Sequence, residues 1–287
     1  MIVKNILVIC GGGMKGLPAA AVLDELRLLV NGHVSRHVDL IAGTSIGGIL
    51  AGLVAAEVPG RLTDFFTEDG ATIFRKSIFR HWPLYAAAPI EAVLKSRFAG
   101  ATLKNCKTRL LVTALDRKAQ QPFFFKSYDT GNQVLDGATP LWQVGRATSA
   151  AQRYFPAFKH GQHILWDGGN IANNPAVCAY AEACKLWPGE RVKVLVLGCG
   201  EDTVPAPRWP QWLQDLVLTI GLQFDTSQDE VDYQMQQFIG DNYRVLQPKF
   251  DRPVTLDGAD RASLQWLKGA AERMVVDSRP VLDWFLD

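Results

Sequence analysis

Residues Gly43-Thr44-Ser45-Ile46-Gly47 fit the pattern G-x-S-x-G. In that pattern a serine sits at the apex of a sharp strand-to-helix turn and presents its Oγ as a nucleophile. Glycines suit the flanks because side chains would clash where the chain doubles back. A serine hydroxyl attacks poorly unless a neighbouring base takes its proton, so the pattern calls for a partner. Asp167, followed by Gly168 and Gly169, is one candidate. At a strand end it would line the ligand crevice of a parallel sheet and could bond the serine directly, as base and orienter. The alternative is a Ser-Asp-His triad in chain order, with Asp116, Asp129 or Asp136 preceding His160 or His163. His33, His37 and His81 have no placement argument. Each piece also has a plain structural reading: a small-residue turn, a helix N-cap or turn acid, and solvent-exposed turn histidines.

A third piece is Gly11-Gly12-Gly13-Met14-Lys15-Gly16, which matches G-x-G-x-x-G after an apolar run. A dinucleotide site would want an acid about 20 residues on, at the end of the second strand. Asp39 is near that distance but starts its strand, and the elbow serine occupies the end. Leu17 follows Gly16 where a P-loop needs Lys. An oxyanion hole fits better: successive glycines leave backbone N–H groups unhindered beside a helix N-terminus, suited to developing negative charge.

The elements that must position these residues are legible as periodicity. Ile6–Cys10 is a continuous apolar run, as in a strand covered on both faces. Leu17–Val30 repeats apolar residues at helical spacing. Val38–Ala42 reads as a buried strand and Ile46–Val58 as a buried helix on either side of the elbow. Arg109–Ala114 and Pro122–Lys126 look like strands, with Phe123-Phe124-Phe125 as strand core. Leu141–Ser149 reads as a helix, His163–Trp166 as a short strand, Pro175–Leu186 as a helix and Arg191–Leu197 as a strand. The remainder reads as mostly helical, to a final helix ending at Trp284. Strands alternating with helices imply a mainly parallel sheet with helices on both faces.

Bulk properties narrow the class. The chain has 287 residues, 48% hydrophobic and 21% charged, with a net charge of +1. That is ordinary for a globular domain and gives no support to a nucleic-acid polymer as partner. With no linker-like stretch, residues 1–287 are expected to be one α/β domain. The five cysteines (Cys10, Cys106, Cys178, Cys184, Cys199) suit buried reduced thiols in a cytosolic protein. Neither a metal site nor a cofactor is expected. The N-terminus has no signal-peptide layout, and no run reaches the roughly 18 apolar residues of a membrane span. Lipid would thus be met from the aqueous side. Ile73–Tyr85 mixes aromatic and basic residues, which suits the head-group layer as a lid or interfacial patch, or a half-buried helix and loop.

Taken together, the glycine loop, the elbow and Asp167-Gly168-Gly169 resemble the patatin-like phospholipase family in order and spacing. Arg146-Ala147-Thr148-Ser149-Ala150-Ala151 with Tyr154-Phe155-Pro156 is similar to that family's helix before the aspartate strand. Asn173-Asn174-Pro175 resembles its Asn-Asn-Pro turn, and Val194–Gly200 its late Leu-Gly-Thr-Gly strand end. The match is clear from about Ile6 to Gly200 and looser in the helical tail, about 201–287. Three departures stand out: Lys15 where Arg is frequent, Gln152-Arg153 for Pro-Thr, and Cys199 for Thr. The Arg153 change bears on the rim of the site and head-group preference.

The resemblance implies a three-layer α/β/α fold and a Ser45–Asp167 dyad. It implies an oxyanion hole from amides around Gly11, Gly12 and Gly13, and hydrolysis of phospholipid acyl esters through an acyl-serine, without metal or cofactor. A carboxylate is a weak base unless desolvated, so the pKa of Asp167 should be raised. The pattern also resembles bacterial stand-alone patatins, some of which are cyclic-nucleotide-activated antiphage phospholipases. It thus admits a hydrolase switched on by a cyclic nucleotide or by homo-oligomer assembly, working in the cytoplasm on the inner membrane. Arg75, Lys76, Arg80 and Arg97 form a small basic patch that could hold phosphates. A soluble-ester triad hydrolase and a non-catalytic scaffold are the remaining alternatives.

Overall fold

The computed structural model describes residues 3–75, 83–129, 137–200, 228–252 and 254–287. In chain order the elements are β1 (Val3–Ile9), α1 (Leu17–Leu29), β2 (Leu40–Gly43), α2 (Ile46–Ala55), the single turns α3 (Asp64–Thr67) and α4 (Gly70–Ile73), α5 (Ala87–Phe98), β3 (Arg109–Asp116), β4 (Gln121–Lys126), α6 (Leu141–Thr148), β5 (Phe158–His160), β6 (His163–Asp167), α7 (Gly169–Ala172), α8 (Ala176–Leu186), β7 (Arg191–Leu197), α9 (228–239), β8 (Tyr243–Leu246) and α10 (Arg261–Leu286).

The sheet order is β5-β6-β3-β2-β1-β7-β8, with β4 on the other edge of β3. Strands β3, β2, β1, β7 and β8 are parallel. Alternation along β1 sends Leu7 and Ile9 into a large core and Ile6, Val8 and Cys10 into a smaller one. The first core lies against α1, α2, α5, α6 and α10, the second against α8 and α9. A strand segment buried on both faces must be apolar, as Ile6–Ile9 of β1 and all of β2 are. Helices thus lie on both sides of a mostly parallel sheet, the three-layer α/β/α arrangement expected. The tail is not only helical, because β8 extends the sheet beside β7.

One topological detail positions the site. β3 outlasts β2: its register with β2 ends at Gly43↔Val112, while β3 continues to Asp116. β4 covers one edge of β3 over Leu111–Asp116. The space past the tip of β2, on the opposite edge, is filled by β6 running antiparallel, with Asp167 opposite Ala114. Asp167 thus enters two residues past the end of β2, beside Ser45. The strand-end argument from a parallel sheet expected a carboxylate here, but it is an antiparallel strand that delivers it. Among the described residues, no helix is long and apolar enough to cross a membrane.

Candidate active site

Ser45 links β2 to α2 with φ 55° and ψ −125°, a backbone region that costs a non-glycine residue about 1–3 kcal/mol. Surrounding contacts enforce it. A Cβ on Gly43 would overlap the carbonyl of Gly47, and a Cβ on Gly47 would overlap that of Ile9. Only glycines let the turn pack this closely against β1. The Ser45 N–H donates to Thr148 Oγ1 at 2.8 Å. Thr44 Oγ1 donates its one proton to the carbonyl of Ala172 at 2.6 Å. Thr113 must therefore be the donor in its 2.7 Å bond to Thr44. Ser45 also precedes the first turn of α2, where unpaired amides and the helix dipole favour negative charge.

Asp167 is 6% exposed. Its Oδ2 accepts the Ser45 hydroxyl at 2.7 Å, and its Oδ1 accepts the Gly169 N–H at 2.7 Å. Burial lifts its pKa from 3.8 to about 6; the Gly169 amide and the Ser45 hydroxyl only partly oppose this. The main chain around it is fixed by the end of α6. Asp167 N–H donates to Ala150 O at 3.1 Å and Gly168 N–H to Thr148 O at 3.2 Å. Thr148 therefore holds Ser45 with its side chain and the aspartate strand with its carbonyl. Its segment was recognisable in the sequence as family-like, but nothing in the spacing assigned this role to it.

The glycine loop flanks the serine, since a Cβ on Gly11 would stand 3.2 Å from Ser45 Cβ. Gly11 itself differs from the expectation of a free donor: its N–H is engaged by the carbonyl of Asn173 at 3.1 Å. The N–H groups of Gly12 and Gly13 have no hydrogen-bond partner among the described residues. Gly13 has φ +56°, and the next amide, Met14 N–H, is held by Leu256 O at 2.8 Å. Two adjacent unengaged amides in the loop are donors of the kind an oxyanion needs. Leu256 is a contributor that no sequence pattern indicated.

The histidines do not join this group. His163 lies four residues from Asp167 along β6, about 13 Å at strand rise. Its Nδ1 meets Asp116 Oδ2 at 2.5 Å. Although burial raises the pKa of Asp116, that bond and the amides of Ala119 and Lys118 bring it below the usual carboxylate range. His160 packs against the rings of Phe123 and Phe125, and Asp136 lies outside the described residues. The described partner of the Ser45 hydroxyl is Asp167 alone.

Other expectations resolve locally. Arg97 is paired with Asp69 at 2.7 Å and Glu68 at 2.9 Å, which removes it from the supposed phosphate patch. Lys76 and Arg80 of that patch, and most of the aromatic–basic stretch (76–82), lie outside the described residues. All five cysteines are free, but only Cys10 and Cys199 are buried; Cys106 and Cys178 are half-buried and Cys184 is exposed. Burial pushes the Cys199 thiol up to about 12, only partly opposed by Lys15.

A family model described as patatin-like phospholipase matches residues 7–180. The chain is 31% identical to a cGAMP-activated phospholipase of Pseudomonas aeruginosa, over 91% of this chain and 83% of that protein. It is 32% identical to a cGAMP-activated phospholipase of Escherichia coli, covering 62% of this chain and 55% of the relative. Identity to patatin-like protein 2 of Arabidopsis thaliana is 34%, over 62% of this chain and 52% of that one. The chain thus spans most of the first of these relatives and about half the length of the other two.

Proposed function

As the chain belongs to the patatin-like phospholipase family, we propose that its lipid acyl hydrolase activity runs through a dyad of Ser45 and Asp167. The observation that carries this reading is the 2.7 Å bond from the Ser45 hydroxyl to a carboxylate buried enough to titrate near pH 6. A base works best when its pKa lies near the operating pH, and desolvation moves Asp167 toward it. Ser45 Oγ attacks the acyl carbonyl while its proton passes to Asp167 Oδ2. The tetrahedral oxyanion takes the amides of Gly12 and Gly13, while Gly11, already bonded to Asn173, shapes the loop. Collapse releases the lysolipid alcohol, to which Asp167 returns the proton. Water then enters and attacks the acyl-serine as Asp167 takes its proton; collapse releases the fatty acid, and Asp167 returns that proton to Ser45 Oγ. Losing one oxyanion donor typically removes about 3 kcal/mol of transition-state stabilisation.

The substrate in this reading is a membrane phospholipid reached peripherally from the cytoplasm. The names of the P. aeruginosa and E. coli relatives support a second layer, activation by a cyclic nucleotide, and with it a role as a membrane-degrading antiphage effector. Self-assembly into a homo-oligomer is an alternative trigger. The test is fatty-acid release from mixed phospholipid vesicles by the wild type and Ser45→Ala, with and without a panel of cyclic di- and trinucleotides. Release without nucleotide, lost in Ser45→Ala, indicates a constitutive hydrolase. Release only with one nucleotide indicates the gated effector. Undiminished release by Ser45→Ala would overturn the dyad.

A further inference from the structure

The glycine loop is supported by a part of the chain beyond the family match, which ends at residue 180. Leu256 O accepts the Met14 N–H at 2.8 Å. It lies so close to Gly13 that a Cβ there would overlap it. The next residue, Asp257, accepts the hydroxyl of Tyr85 at 2.5 Å. Tyr85 is itself closely packed: 1% exposed, stacked on Tyr154 at 6.3 Å and against Phe155 and Phe74. Its N–H donates to Tyr154 O at 2.8 Å. Val254 is buried, and Asp260 caps α10 through the amides of Ala262 and Ser263. Residues 254–257 are therefore anchored on both sides, with one carbonyl aimed at the loop.

We propose that residues 254–257 form a strap that holds the glycine loop in donor geometry, and that Tyr85 and Asp257 are positioning residues for the oxyanion donors Gly12 and Gly13. The peptide between Gly13 and Met14 carries the amide that the strap holds. Turning that peptide swings its own carbonyl and the neighbouring Gly13 amide. Met14 N–H also sits at the start of the turn in which Lys15 N–H donates to Gly12 O at 3.1 Å. The two bonds together hold the peptides on either side of Gly13, one of which carries the Gly13 amide. Such donors act by being aligned before charge develops, so a loosened loop loses rate more than substrate binding. The inference rests on reading this loop as the oxyanion hole.

The test compares Tyr85→Phe, Asp257→Ala, Asp257→Asn and the double variant Tyr85→Phe/Asp257→Ala. The substrates are a soluble p-nitrophenyl ester and phospholipid vesicles, under whichever condition activates the wild type. The probe of the hole is a trifluoromethyl ketone, which binds serine hydrolases as a tetrahedral adduct bearing the oxyanion. Tyr85→Phe and Asp257→Ala should each lower kcat by ~10- to 100-fold with KM changed by less than about threefold, and weaken the ketone by a similar factor. The double variant should be no slower than the worse single one. Asp257→Asn retains an acceptor for Tyr85 and should keep most activity, which separates a folding defect from a positioning one. Unchanged kcat, additive losses, or a ketone bound as tightly as by wild type would overturn the strap. If Ser45→Ala stays active, the dyad reading falls first. If Ser45→Ala is inactive while Tyr85→Phe is as fast as wild type, only the strap falls.

Discussion

Asp167→Asn should make the protein more stable while stopping turnover, and the gain should depend on pH in a defined way. The Asp167 carboxyl titrates at about 6 in the fold because burial opposes its charge, against 3.8 ordinarily. The unfolded chain therefore ionises this group at lower pH than the folded chain does. Between about pH 4 and 6 the folded state binds more protons, so stability falls as pH rises through that window. At ~1.36 kcal/mol per pH unit, the interval amounts to about 3 kcal/mol of stability lost by neutral pH. Asparagine carries no charge to desolvate. It can accept the Gly169 amide through Oδ1 and meet Ser45 Oγ with Nδ2, so the two bonds of Asp167 keep their geometry. The variant should exceed wild type by about 3 kcal/mol at pH 7.5, roughly 5 °C in Tm for a chain of this length. The gap should shrink below ~1 kcal/mol at pH 4. Urea unfolding followed by tryptophan fluorescence from pH 4 to 8 measures both ends. A gap that does not change with pH, or a variant less stable than wild type at pH 7.5, would refute the account of a buried, charge-strained base. Stability given up at a catalytic group is a recurrent trade-off in enzymes.

The same carboxyl should shape the kinetics: kcat/KM should rise with pH through about 6, as Asp167 deprotonates. His163→Gln should leave this profile in place because its partner is Asp116; loss of turnover in that variant would reinstate a triad. Thr148→Val removes the acceptor of the Ser45 N–H and should cost about 1–3 kcal/mol in stability for the orphaned amide, with a clear fall in kcat. Thr148→Ser should restore both, and equal behaviour of the two variants in thermal unfolding and steady-state kinetics would contradict that role. Gly47→Ala drives a methyl into the Ile9 carbonyl and should destabilise by ~3 kcal/mol or more, visible as a large drop in Tm or in folded yield; a wild-type Tm would show that the elbow has slack.

Much of the site was legible in the sequence because its pieces are local. Gly43 and Gly47 are dictated by backbone contact within a few residues of Ser45 or on the adjacent strand, and that requirement writes itself as G-x-S-x-G. The continuous apolar runs at Ile6–Ile9 of β1 and in α2 reveal a sheet covered on both faces, because burial acts on each side chain in turn. Asp167 was recognisable as a candidate from the glycines after it. The choice between it and a histidine was not, since a serine can be served by either and both lie more than a hundred residues downstream.

Tertiary structure sets which of them meets the serine hydroxyl. β3 outruns β2, an antiparallel strand fills the space, and Asp167 lands beside Ser45 while His163 is carried away along the same strand. The state of each glycine amide was equally invisible, because an N–H is a donor until a distant carbonyl engages it. Asn173 takes that of Gly11, Leu256 takes that of Met14, and the two between have no partner among the described residues. β8 was missed because four residues show too little period to be told from coil until β7 offers an edge to pair with. Sequence alone determined which residue types could do the chemistry and which turns would expose them. The pairing of strands and the reach of carbonyls from remote segments, which depend on contacts no local pattern records, decided which of those residues meet.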